Sequence, residues 1–372
     1  MTVSAKHWGW QLLLCGWLPL ASVAEEVDSV TDEEMDTVAA VADSARLYRN
    51  PEERRDAGLG TALTDWMTFS GLLEVEKEFS KSYLANHIER REHSKPSKDL
   101  QLALVISAGG WFEAEVIYEA AHERHFHDER DETFIGIDLD DFGAKVGRLY
   151  LPFGEYYSHL ASGPALEFGE TRANALIVDY DLGDGFEFSA FVFEGRLDRI
   201  GKRDEKDWGY LLQWQSDDES MRVGVSYLSD LAESQDPLLD KTTTTFLHRV
   251  PGWNAYLLWG FATFELTWET VRAGRPFDEL ERNVDQPRSQ NLELAYFYRD
   301  DVQLALRIEH NRELEDEAQW RYGLGVAMRL AEPLLMSLDY LYNDYAERFV
   351  YDHNDNEYFY GHKMSVQLAL EF

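Results

Sequence analysis

The twelve residues 361–372 read GHKMSVQLALEF and alternate without a break. His362, Met364, Val366, Leu368, Leu370 and Phe372 share one face, and Lys363, Ser365, Gln367, Ala369 and Glu371 share the other. A period of two over a membrane-crossing length, ending on an aromatic residue, predicts the closing strand of a transmembrane β-barrel; an edge strand of a soluble sandwich is the alternative. The same period recurs upstream at 67–79, 100–106, 112–120, 208–214, 221–227, 264–270, 292–298, 302–310, 320–330 and 334–342. Weaker candidates at 133–139, 142–150, 173–180, 186–194 and 253–259 bring the number to about 16. The least certain boundary lies at Gly260-Phe261-Ala262. Within a strand the two faces differ: Trp320, Tyr322, Leu324, Val326, Met328 and Leu330 alternate with Arg321, Gly323, Gly325, Ala327 and Arg329.

Connections between these segments alternate in length. Short ones fall at 107–110, 140–141, 181–185, 215–220, 300 and 331–333, and long ones at 80–99, 121–132, 151–172, 229–251, 272–288 and 343–359. In membrane barrels short turns face the periplasm and long loops face outside. No apolar run after Leu20 approaches the ~20 residues that a spanning helix needs, so a closed sheet is the one way left to cross lipid with every backbone group paired.

The first residues have a different grammar. Lys6 precedes an apolar run from Trp8 to Leu20, and Ser22-Val23-Ala24 offers small residues before Glu25, so residues 1–24 read as a signal peptide. Cys15, the only cysteine, lies inside that run after Leu14 rather than after a small residue, which argues against a lipoprotein signal. In residues 25–62, Val27, Val30, Val38, Val41, Ala45 and Tyr48 recur at helical spacing until Asn50-Pro51. A short periplasmic helical segment is expected there, either a coiled-coil or docking arm or a leader trailing the barrel. Residues 63–372 form the barrel. The fold class is therefore all-β, a transmembrane antiparallel barrel of about 16 strands with a short N-terminal helical segment, in the outer membrane of a Gram-negative bacterium.

Composition sharpens this. The chain is 44% hydrophobic, as expected when only every second strand position is apolar, and its 11 Trp, 19 Tyr and 20 Phe suit interfacial girdles better than a soluble core. The formal charge of -35 becomes -36 once Lys6 is removed. So acidic a surface attracts cations and excludes nucleic-acid binding, although solubility of exposed loops is an equally good reason for it.

Residues 147–195, GRLYLPFGEYYSHLASGPALEFGETRANALIVDYDLGDGFEFSAFVFEG, resemble the centre of the siderophore porin family, LbtU type, most specifically in LPFG and LEFGETR. The parallel extends to a signal peptide, a helical N-terminal segment and a barrel of about 16 strands. That resemblance implies uptake of a ferric siderophore without the energised plug of larger receptors. Length agrees, because about 348 residues cannot supply both a 22-stranded barrel and a globular plug. General or cation-preferring diffusion is the alternative, and a surface-binding barrel a third. A homotrimer is possible, and the partners expected are a ferric siderophore or other small solute and outer-membrane lipid; no cofactor is implied.

Selectivity in such a channel comes from its narrowest point. The loop 151–172 is the candidate: Pro152, Gly154, Gly163 and Pro164 bend it, Tyr156, Tyr157 and Phe168 can pack on a wall, and Glu155, Glu167 and Glu170 lie near Arg148 and Arg172. Expected constriction residues are thus Arg148, Glu155, Tyr156, Tyr157, Glu167, Glu170 and Arg172; a rigid external loop is the other reading. His122, His125 and His127, beside Glu123, Asp128 and Glu129, could hold a transition metal or simply form a solvated acidic loop, their spacing matching no ligand signature. Asp352, Asn354 and Asn356 imitate half a calcium loop, but Glu357 stands where glycine is needed and Lys363 where the bidentate glutamate belongs. Ser158-His159 and Ser162 invite a hydrolase reading, yet nothing sets a base against a nucleophile, so no enzyme is expected.

Overall fold

Sixteen strands pair in sequence order and the last closes on the first. In the computed structural model, which describes residues 49, 51, 54, 57–84, 88–121, 130–200, 206–234, 238–239, 245–281, 284–314, 317–345 and 357–372, every barrel neighbour is antiparallel. The strands are β1 (Met67–Leu84), β2 (Ser97–Ala108), β3 (Phe112–Ala121), β4 (Arg130–Leu139), β5 (Phe142–Tyr150), β6 (Arg172–Gly183), β7 (Phe186–Glu194) and β8 (Lys206–Gln215). They continue as β9 (Met221–Leu228), β10 (Gly252–Phe261), β11 (Phe264–Ala273), β12 (Arg288–Arg299), β13 (Val302–Arg312), β14 (Trp320–Ala331), β15 (Leu334–Asp344) and β16 (Tyr358–Glu371). Closure runs through β16 and β1, with Leu368 opposite Val75 and Glu371 opposite Leu72. Backbone bonds between Gly71 and Phe372 in both directions, at 2.6 and 2.9 Å, seal the seam. All barrel strands lie in one compact unit, Val38–Phe372.

Period two sorts the side chains as the sequence predicts. Leu73, Val116, Ile135, Val146, Leu176, Val192, Leu306 and Leu368 are exposed on the outer face. Aromatic rows edge that face at both rims. Trp208, Tyr210, Tyr227 and Trp253 form a chain of contacts with centroids 4.9–6.4 Å apart beside the long loops, and Trp259, Phe261, Phe264 and Tyr296 form another, 4.7–5.7 Å apart, beside the short turns. Such amphipathic rings sit at the headgroup level of a bilayer. Two tight turns on the short-turn rim use left-handed backbone: Asp184 and Gly185, at φ 54° and 77°, form a two-residue hairpin loop, and Gly109 and Gly110, at φ 65° and 72°, begin the three-residue loop 109–111.

Some elements extend beyond the apolar alternation. Strand β1 runs to Leu84 and not to 79, because its polar end still has pairing partners in β16 and in a short strand, Glu89–His93, inside the connection expected at 80–99. Another short strand, Thr61–Thr64, pairs with Met67–Phe69 and so straddles the expected boundary at residue 62. Of residues 25–62 only 49, 51, 54 and 57–62 are described, and residues 1–24, the segment 122–129 carrying His122, His125 and His127, and Asp352, Asn354 and Asn356 lie outside the described residues.

Candidate functional site

The interior of β11 to β15 is lined by polar side chains at alternate positions: Glu265, Thr267 and Glu269, then Asn291 and Glu293, Gln303, Arg307 and Glu309, and Asp339, all buried. Buried carboxylates require donors. They find them in the connection 151–171, which turns inward after β5 and crosses to the opposite wall. Its backbone N–H groups donate to those acids in series: Glu155 and Tyr156 to the two oxygens of Glu269 at 2.9 and 2.8 Å, His159 to Glu293 at 2.7 Å, Ser162 to Asp339 at 2.7 Å, and Ala165 to Glu309 at 2.9 Å. Charge-assisted bonds of this kind contribute roughly 1.5–3 kcal/mol each, which offsets part of the entropy of ordering the loop.

Arg307 ties the centre of the loop to the wall. Its Nε donates to Glu293 at 2.8 Å, both side chains being fully buried, while Nη1 donates to the Gly163 carbonyl at 3.1 Å and Nη2 to the Ser158 hydroxyl. Close approach is possible because β14 presents Gly323 and Gly325 inward. A Cβ on either would stand 2.9 Å from Leu160. Gly154, at φ 106°, and Tyr156, at φ 51°, hold the left-handed backbone that aims consecutive N–H groups at one carboxylate. Phe153, Leu166 and Phe168 pack with Ile177, Phe191 and Val271 in the main apolar cluster.

Five of the seven residues expected at the constriction are in this inward loop. Glu155 pairs through Oε1 with the inward-facing Arg222 of β9 at 3.1 Å. Tyr157 places its hydroxyl 3.3 Å from His159 Nδ1, and Gln303 Nε2 approaches the same nitrogen at 2.9 Å. Glu167 is open to the lumen, and Glu170 is half-buried behind the loop, its carboxyl pushed up to about 8 by loss of hydration, with Glu167, Glu132 and Glu269 adding to the shift.

Arg148 and Arg172 are elsewhere, and the expectation for them is corrected. Arg148 shares a face with Val146, opposite Asn174, and Arg172 is opposite Tyr150, on the outer side of the barrel near the long-loop rim. There Arg172 pairs with Asp131 and lies over the Tyr150 ring at 5.3 Å. Strand parity decides this: both are an even number of residues from a lipid-facing side chain. Conversely, the acids, Arg307 and Arg222 that hold the loop are not marked in the sequence except by inward pairs such as Asn291 with Glu293 and Arg307 with Glu309.

Beside the loop a cavity of about 440 Å³ opens between β3 and β8, lined by Glu113, Glu115, Lys145, Asp179 and Glu187 with the apolar Phe134 among others. Lys145 is committed to Glu113 at 3.3 Å and to the Phe134 ring at 4.9 Å. The adjoining wall carries Glu74, Glu76 and Glu78 from β1, which face Gln367 and Lys363 of β16.

No protein-family model matches the chain. A curated relative, the UPF0422 protein of Coxiella burnetii (strain RSA 493 / Nine Mile phase I), is 24% identical over 262 residues, 65% of this chain and 55% of the relative; the chain thus spans about half the length of the relative it matches. Among solved structures, the outer membrane channel DcaP of Acinetobacter baumannii is similar over 84% of this chain and 100% of its own, with a TM-score of 0.56 at 9% identity. An anion-selective porin from Comamonas acidovorans covers 82% and 99% with 0.57 at 12%, and Salmonella typhi OmpF in complex with daunomycin covers 83% and 98% with 0.57 at 12%. At such identities the likeness is one of fold, and the fold is that of a 16-stranded outer-membrane porin channel.

Proposed function

We propose that the chain is a cation-preferring diffusion channel whose inward loop 151–171 sets the narrowest cross-section. One observation carries the reading: the cavity beside that loop is lined by Glu113, Glu115, Glu132, Asp179 and Glu187 against a single lysine, Lys145, itself paired with Glu113. Low-dielectric walls focus the field of such a surface and raise the local concentration of cations. The Comamonas neighbour is described as anion-selective; the lining here argues for the opposite sign on the same kind of barrel.

A second reading, uptake of a ferric siderophore, is favoured by the resemblance in residues 147–195. LPFG is the entry of the chain into the inward loop and LEFGETR its short 3-10 turn and exit, so the stretch that carries the resemblance is the stretch that narrows the lumen. An acidic lining suits a neutral or cationic chelate. Bilayer recordings under a salt gradient test the first reading: the wild type should reverse toward the cation potential, and Glu113→Gln with Glu115→Gln and Glu187→Gln should shift reversal toward zero, by about half or more. An anion-selective wild type would sink it. Growth of a deletion strain on a panel of ferric siderophores under iron limitation tests the second.

A further inference from the structure

Arg49, Pro51 and Arg54 precede the first barrel strand, yet Pro51 and Arg54 are buried, Arg54 to 1% exposure. Their partners belong to the inner wall. The Arg49 backbone N–H donates to Glu371 Oε1 at 2.9 Å, and its guanidinium reaches Glu371 at 3.5 Å and Glu332, in the short β14–β15 turn, at 2.9 Å. Glu371 is itself buried and also accepts from Arg329 Nη1 at 3.0 Å. Arg54 Nη2 donates to Gln101 Oε1 at 2.6 Å, and Gln101 stands opposite Leu72 on the inward face of β2. Pro51 is one of the residues lining the acidic cavity, alongside Glu115, Lys145 and Asp179. The return is closed by a bond from Leu59 N–H to the Arg54 carbonyl at 2.8 Å, with Gly58 at φ 73°, the geometry that ends a helical turn. Thr61–Thr64 then pairs along Met67–Phe69.

Ahead of β1, Arg49 and Arg54 are thus fastened to the inner wall and Pro51 lines the cavity. Two arginines on so acidic a wall are held by its field as well as by their bonds. We propose that the residues Arg49, Pro51 and Arg54 form a second constriction of the channel, in series with the loop 151–171, with Arg49 on Glu371 and Arg54 on Gln101 as its fastenings. The proposal rests on the channel reading. It makes Arg49 and Arg54 determinants of conductance and selectivity, and it places part of the solute path between an inserted chain segment and the acidic strands β3 to β7.

Single-channel recording of the full-length barrel tests the role. In about 1 M salt, where charges outside the lumen are screened within ~3 Å, Arg49→Glu with Arg54→Glu should raise conductance by about 1.5-fold or more, and Arg49→Lys with Arg54→Lys should return it most of the way to wild type. Conductance unchanged by charge reversal overturns the constriction. Placement is read separately: with Cys15 replaced by Ser, Arg54→Cys and Gln101→Cys should be joined by a bifunctional thiol reagent spanning ~10 Å, because the native side chains meet at their tips, Nη2 to Oε1 at 2.6 Å. Failure to join them overturns the placement even if the channel conducts. A double-cysteine barrel that is joined, beside a wild type that does not conduct, overturns the channel reading and leaves the placement standing.

Discussion

Glu170 is where a single side chain makes the loop sensitive to pH. Its carboxyl is raised from 4.5 to about 8 because docking strips its water and sets it near other acids. A carboxyl raised in the folded state favours docking in its neutral form. That contribution is complete below the ordinary value and is lost as pH rises through about 8. Loop docking should therefore weaken between about pH 5 and about pH 9, and Glu170→Gln should abolish the dependence, read as the frequency of open-channel current fluctuations. A wild type with pH-independent fluctuations would refute this. The sequence alone shows Glu170 in a bent, aromatic loop but not its neighbours, since Glu132 and Glu269 come from strands 38 and 99 residues away in the chain. Arg148 and Arg172 teach the reverse lesson: their side of the sheet was legible by parity from Val146 and Leu176, and proximity in sequence to the glutamates was the weaker guide.

At the scale of the element, the barrel strands were readable because one solvent is hydrocarbon and the other is water, which writes a period of two into each strand. The inward loop was readable only as a bend. What docks it is a set of acids distributed over four strands, and their convergence exists only after the sheet has closed. Arg307 should be the most sensitive point, because its removal leaves Glu293 buried without its guanidinium. Breaking a buried pair of this kind costs ~3–5 kcal/mol, whereas replacing both partners with apolar residues costs much less. Arg307→Ala should therefore undock the loop, raising conductance and protease cleavage at 151–171 while the barrel keeps its heat-modifiable migration. Arg307→Met with Glu293→Met should restore part of the protection. If Arg307→Ala leaves cleavage and conductance at wild-type levels, the pair does not hold the loop.

For the whole molecule, the alternation of short and long connections fixes which rim meets which compartment. The sixteen-strand closure follows from β16 pairing with β1 on one side and β15 on the other, so both ends of the barrel sequence lie at the short-turn rim. Short turns such as 216–220, tied by Asp218 accepting from Ser216 and Ser220, have little surface to present. The long connection between β9 and β10 instead exposes Leu247 at the opposite rim. In such barrels the short turns face the periplasm and the long loops face outside. Cysteines at single sites are informative here, since Cys15 is the chain's one thiol and can be replaced by serine. With Leu247→Cys, a membrane-impermeant maleimide should label intact cells; with Asp218→Cys it should label only after the outer membrane is opened. Labelling of Asp218→Cys on intact cells with Leu247→Cys protected would invert the barrel, and with it the assignment of the Arg49 side to the periplasmic rim.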